Sequence, residues 1–96
     1  IKAFHCWREK CVDHLIGMFA FAVYDQTRDE LFLFRDRVGV KPLYYYAQGE
    51  CVFFASEVRA LTAFPITTLL DEQSVSLYFR YGFVPSPRSI WTGIHK

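Results

Sequence analysis

The residues equipped for covalent or metal chemistry are few and scattered. Cys6, Cys11 and Cys51 could offer a thiolate, and His5, His14 and His95 could offer a base or a metal ligand. Their spacing argues against both uses. His5 and His14 lie nine residues apart, which does not stack them as an i, i+4 ligand pair, and no C-x-x-C pair completes a zinc site. No adjacent imidazole or cationic cluster stands in the sequence to activate a thiol, so Cys6 and Cys51 are expected as small core or boundary residues. The histidines are expected to be solvated or capping, and no metal site is expected.

A second group of polar residues stands where a strand should end. Leu31-Phe32-Leu33-Phe34 turns abruptly into Arg35-Asp36-Arg37, and strand ends are where sites are often built. Without a nucleophile or a paired second acid, the expected role is structural: an Arg35–Asp36 ion pair, with hydrogen bonds fixing the loop from Gly39 to Pro42. Gly39 supplies unusual dihedrals there, and Pro42 a fixed φ with no N–H. Arg37 and Lys41 lack the Gly-rich cradle of a phosphate site. Ser56-Glu57 reads as a helix start, a hydroxyl cap followed by a carboxylate at the positive end of the dipole.

The elements that must position these residues follow from periodicity. Phe4, Trp7, Cys11 and Leu15 recur at spacings of three and four, predicting an amphipathic helix over residues 1–15 that Gly17 closes. Met18 to Tyr24 has no polar residue and predicts a strand covered on both faces. Leu31 to Asp36 pairs with it across a polar turn, and Leu43 to Tyr46 and Cys51 to Ala55 flank a second turn, so a four-stranded antiparallel meander is expected. A helix should run from Glu57 toward Pro65, and another from a cap at Asp71 through Val75, Tyr78 and Phe79 to Gly82. Residues 83–87, with two prolines, should be extended.

Composition bounds what such a chain can be. Its 96 residues hold one small domain's worth of core, and 52% hydrophobic residues exclude a disordered or low-complexity segment. A net charge of +1 gives no drive toward nucleic acid or an anionic membrane, and the longest apolar run, Ile16 to Tyr24, is too short to cross a bilayer. An odd number of cysteines fits a reducing, cytoplasmic setting. Eighteen aromatic residues, 19% of the chain, are more than so small a domain can hide, so some rings are expected to face further protein. The first residues show neither a signal peptide nor a starting Met and read as an internal beginning.

Three segments in order carry a resemblance. Gly17-Met18-Phe19-Ala20-Phe21-Ala22, then Phe34-Arg35-Asp36-Arg37-Val38-Gly39-Val40-Lys41-Pro42-Leu43-Tyr44-Tyr45, then Phe54-Ala55-Ser56-Glu57-Val58-Arg59-Ala60-Leu61 closely resemble the glutaminase domain of glutamine-hydrolysing asparagine synthetases. The passage from Tyr81 to Trp91 and Gly93-Ile94-His95-Lys96 resembles the stretch leading from that domain toward the synthetase domain. The resemblance implies a class II glutamine amidotransferase of the N-terminal-nucleophile hydrolase superfamily. The implied fold is α+β, part of a four-layer αββα sandwich with antiparallel sheets.

It also implies a division into residues 1–64, the later half of the glutaminase domain, and 65–96, its end and the connection onward. In that family an N-terminal cysteine attacks the glutamine amide, and the ammonia released travels through a tunnel to a domain where ATP activates aspartate. The nucleophilic cysteine and the glutamine-binding residues precede the region matching Ile1, so no catalytic residue is assigned here and the 96 residues alone are expected to be inactive. Arg35, Asp36, Gly39 and Pro42 are expected as a structural motif, and Ser56 and Glu57 as candidates for tunnel or interdomain contact. Glutamine, aspartate and ATP with Mg2+ are the implied substrates and cofactors of the parent enzyme, with none held in this stretch. Its partners are the rest of the glutaminase domain, the synthetase domain and, in a homodimer, a second copy. The rival readings are another class II amidotransferase and a non-catalytic binding module on the same scaffold.

Overall fold

The computed structural model describes residues 1–96. Its α+β content and antiparallel pairing agree with the expected fold class. The chain packs as two units, Ile1–Pro42 and Leu43–Lys96.

The first unit holds helix α1 (Lys2–Trp7), a 3₁₀ helix (Arg8–His14) and the hairpin of β1 (Ala20–Asp25) with β2 (Glu30–Arg35). The expected single helix over residues 1–15 is broken at Arg8, which takes φ 52°. The Arg8 guanidinium is held by Asp25 at 2.6 Å and Glu30 at 2.8 Å, and it lies over the Phe4 and Phe32 rings. In a helix of two turns, such ties to the hairpin outweigh local propensity. Phe4 and Cys11 keep their buried places, whereas Trp7 and Leu15 are exposed and Trp7 stacks on His14.

The register pairs Phe21 with Phe34 and Val23 with Phe32, which puts these side chains on one face of the hairpin. That face packs on Phe4 and Cys11 and forms the unit's core. On the other face Ala22, Tyr24 and Leu31 are exposed, so the strand expected to be covered on both sides is covered on one. Small residues there gave the segment its apolar run without marking which face meets a layer.

The second unit is a three-stranded antiparallel sheet in the order β4 (Cys51–Ala55), β3 (Tyr44–Gln48), β5 (Ile94–His95), with α2 (Val58–Leu61) and α3 (Glu72–Tyr81). Gly49, at φ 59°, and Glu50 make the tight β3–β4 turn. The expected four-strand meander is therefore two separate hairpins, because β2 and β3 lie in different sheets. Helix α3 runs as the sequence predicts: the Asp71 carboxylate accepts the Ser74 amide at its start, and Gly82, at φ 78°, ends it. Helix α2 has only four residues, and Glu57, not Ser56, precedes it without a side-chain cap. Beyond α3 the expected extended run over residues 83–87 is interrupted by a bend at Gly82 and Phe83. The chain then turns, the Arg88 amide donating to the Pro85 carbonyl at 3.1 Å across a cis Ser86–Pro87 bond. No helix is long and apolar enough to cross a membrane.

Candidate functional site

The charged end of β2 forms the most organised polar cluster of the first unit. Arg35 donates through Nε to the Lys41 carbonyl at 2.7 Å and through Nη2 to the Gly39 carbonyl at 2.6 Å. Asp36 works in the opposite sense. Its Oδ1 accepts the Val40 amide at 2.8 Å and its Oδ2 the Lys41 amide at 2.9 Å. Its own carbonyl accepts the Gly39 amide, and its own amide donates to Phe19. The expected Arg35–Asp36 ion pair is thus replaced by two sets of bonds to the loop backbone; the expected fixing of the Gly39–Pro42 loop is observed. Gly39 stands at φ 71°, and a Cβ there would come within 3.0 Å of the Arg35 guanidinium carbon. Glycine alone suits both the dihedral and the approach.

Two carboxylates outside this motif are similarly engaged; the sequence indicates the capping role of Asp71 but neither of the arginine partners. Asp25 accepts from the Thr27 hydroxyl at 2.6 Å and from Arg8. It borders a cleft of about 570 Å³ within the first unit whose floor includes Phe4. Asp71 accepts from the Ser74 amide and hydroxyl and from Arg88 at 3.0 Å. Thr27 and Ser74 are local partners, whereas each arginine lies 17 positions from its carboxylate, which no local pattern reports.

These bonds hold all three carboxyls below the usual carboxylate range. The Thr27 hydroxyl is the main cause for Asp25, followed by Arg8; the Lys41 and Val40 amides act on Asp36, and the Ser74 hydroxyl on Asp71. A carboxylate with a depressed folded-state pKa contributes stability that is full above its unfolded value and lost as pH falls through the folded one. Thermal unfolding followed by circular dichroism should therefore show a midpoint that is flat near neutrality and falls below about pH 4. The Asp36→Asn protein should start lower and fall less steeply. A midpoint independent of pH down to about 2 would contradict this assignment.

The remaining sequence candidates are not drawn into a reacting constellation. Ser56 and Glu57 are exposed at the β4–α2 junction. Cys6 and Cys51 are exposed rather than core or boundary residues, and Cys11 is buried. His5, His14 and His95 are exposed. No group of three or more His, Cys, Asp or Glu side chains gathers as metal ligands. The polar groups of this stretch brace backbone and one another, which is the chemistry of a scaffold.

Comparison with known proteins gives that scaffold a family. Residues 1–96 match the glutamine amidotransferase domain. The chain is 48% identical over 91 residues, 94% of its length, to asparagine synthetase (glutamine-hydrolyzing) 3 of Bacillus subtilis strain 168. To asparagine synthetase (glutamine-hydrolyzing) 1 of the same organism it is 30% identical over 96 residues, 100% of this chain. It spans only 14% and 15% of those two proteins. With the match running over every residue from the α1 core to β5, the chain belongs to the glutamine amidotransferase domain family.

Proposed function

We propose that these 96 residues serve as scaffold in a glutamine-hydrolysing, ATP-dependent asparagine synthetase. The observation that carries the reading is the 48% identity over 94% of the chain to a protein of that name. In this proposal glutamine is hydrolysed by a cysteine outside the stretch, and the ammonia is transferred to aspartate in a separate synthetase domain. ATP and Mg2+ are proposed to bind in that other domain. Residues 1–64 are assigned to the glutaminase fold and 65–96 to its end and the connection onward, while compact packing divides at 42/43. A cytoplasmic, dimeric enzyme completes the reading.

The exposed aromatics support it. Tyr78, Phe79, Tyr81 and Phe83 are all more than half exposed on or just beyond α3, an apolar surface that further domain structure would cover. Ser56 and Glu57, exposed beyond β4, are proposed to meet the tunnel or the neighbouring domain.

The test is release of glutamate from glutamine, and formation of asparagine from aspartate and ATP, by the protein that carries these residues at full length. Both products are expected, with the 96-residue stretch alone silent. Glutamate without asparagine would move the protein to another amidotransferase. Silence in both assays would leave a non-catalytic module on this scaffold and overturn the proposal.

A further inference from the structure

We propose that the cleft between the 3₁₀ helix and the charged end of β2 binds a small organic carboxylate. The cleft lies wholly within the first unit, and the inference is independent of the amidotransferase reading.

The cleft holds about 380 Å³, a volume suited to a small molecule. Its sides differ in chemistry. Val12, Leu15 and Phe19 give it an apolar wall, while Arg35, Arg37 and Asp13 bring the charges. Two guanidiniums against one carboxylate leave the lining with an excess of positive charge. The buried neighbour Asp36 turns its two oxygens to the Val40 and Lys41 amides, so Arg35 lines the cleft without an ion-pair partner. Positive charge beside an apolar wall is complementary to an anion carried on an apolar body, whereas a hydrated inorganic anion would leave the wall unused.

The two arginines are prepared in different ways. Arg35 is fixed: Nε donates to the Lys41 carbonyl at 2.7 Å and Nη2 to the Gly39 carbonyl at 2.6 Å. Its planar fork is therefore oriented before any ligand arrives, and Nη1 carries two further N–H groups that neither bond uses. Arg37 is adjustable. Its side chain is 82% exposed and donates through Nη2 to Asp13, itself 55% exposed, at 2.6 Å. An exposed pair of this kind contributes little, so a ligand carboxylate can take the place of Asp13 at small cost. Guanidinium suits that exchange, because its N–H groups match the two oxygens of a carboxylate. The ligand's head then meets one rigid donor and one that swings toward it, and its body lies on Leu15 and Phe19.

Phenylacetate, titrated into the full-length protein with isotope-labelled Val and Leu methyl groups, tests the site; phenylacetamide, of similar shape without the charge, is the comparison. The Val12 and Leu15 methyl signals should shift saturably with phenylacetate, with a dissociation constant of about 1–10 mM, and phenylacetamide should bind at least about fivefold more weakly. Arg37→Gln should weaken phenylacetate binding about threefold to tenfold. Asp13→Asn should tighten it by up to about fivefold, because the competing carboxylate is gone. Both side chains are exposed, so neither change endangers folding. Opposite responses are what competition requires, whereas a purely structural Arg37–Asp13 pair would make the two variants alike. The same response in both variants would overturn the site. So would equal binding of phenylacetamide, or the absence of any saturable shift at Val12 and Leu15, as when other parts of the protein already fill the cleft.

Discussion

Phe34→Ala is expected to destabilise the protein by about 3–5 kcal/mol, a large part of the 5–15 kcal/mol typical of a whole domain. Phe34 is the buried ring on β2 about which the first unit's core is arranged. Phe4 meets it edge-on at 6.1 Å between centroids, Phe21 lies at 5.0 Å and Phe32 stacks beside it at 6.1 Å. Removing it vacates the centre of an aromatic cluster on a two-stranded hairpin, which has no neighbouring strand to move in. Val38→Ala is the control, because that side chain is 87% exposed and its loss should fall within about 0.5 kcal/mol. Urea unfolding midpoints of the two variants check the pair. Equal midpoints would mean that the α1–hairpin core does not carry the unit's stability.

Phe34, buried here, and Phe79, exposed here, show what the sequence could and could not say. Both are aromatic residues in periodic segments, and periodicity places each on a face without saying whether anything covers it. Where a local device ends an element, the reading was sharp: Asp71 caps α3 on the Ser74 amide, and Gly82 stops it in the left-handed region. The two hairpins were likewise legible from alternation around polar or glycine-bearing turns. Arg8 was not, because its partners Asp25 and Glu30 lie 17 and 22 residues away, and nothing within one helical turn reports them. Ser56 shows the opposite failure. A good capping residue stands beside a helix too short to use it, since α2 begins two residues later.

The same limit governed the Arg35–Asp36 motif. Its residues and the loop they fix were evident from an abrupt change of polarity ahead of Gly39 and Pro42. That they bind the loop's backbone rather than each other depends on the folded path of residues 39–41, which is itself set by those bonds. The family resemblance supplied the fold class and an expected parent activity. It did not supply the partition at Pro42, because motif similarity runs through that point without interruption.

Ile94→Ala should cost about 2–5 kcal/mol, although Ile94 lies in a strand of two residues that no periodicity announces. Ile94 is 1% exposed and pairs with Tyr46, which makes β5 the third strand of the second sheet. The approach is close: a Cβ on the preceding Gly93, at φ 78°, would lie 2.8 Å from the Tyr46 ring. The tail is tied down on both sides of this contact, the Thr92 amide donating to Leu69 and the Lys96 amide to Pro87, each at 2.8 Å. Losing the Ile94 side chain leaves a cavity under β5, so the strand, not only the residue, should loosen. His95→Ala, in the same strand but exposed, should change stability by no more than about 0.5 kcal/mol. Trypsin cleavage after Arg88, read with the urea midpoint, separates the two variants. Faster cleavage in Ile94→Ala alone means that residues 84–96 are held as part of the sheet. Equal behaviour of the two would make them a loosely attached connection, and Ile94 a buried residue without structural leverage.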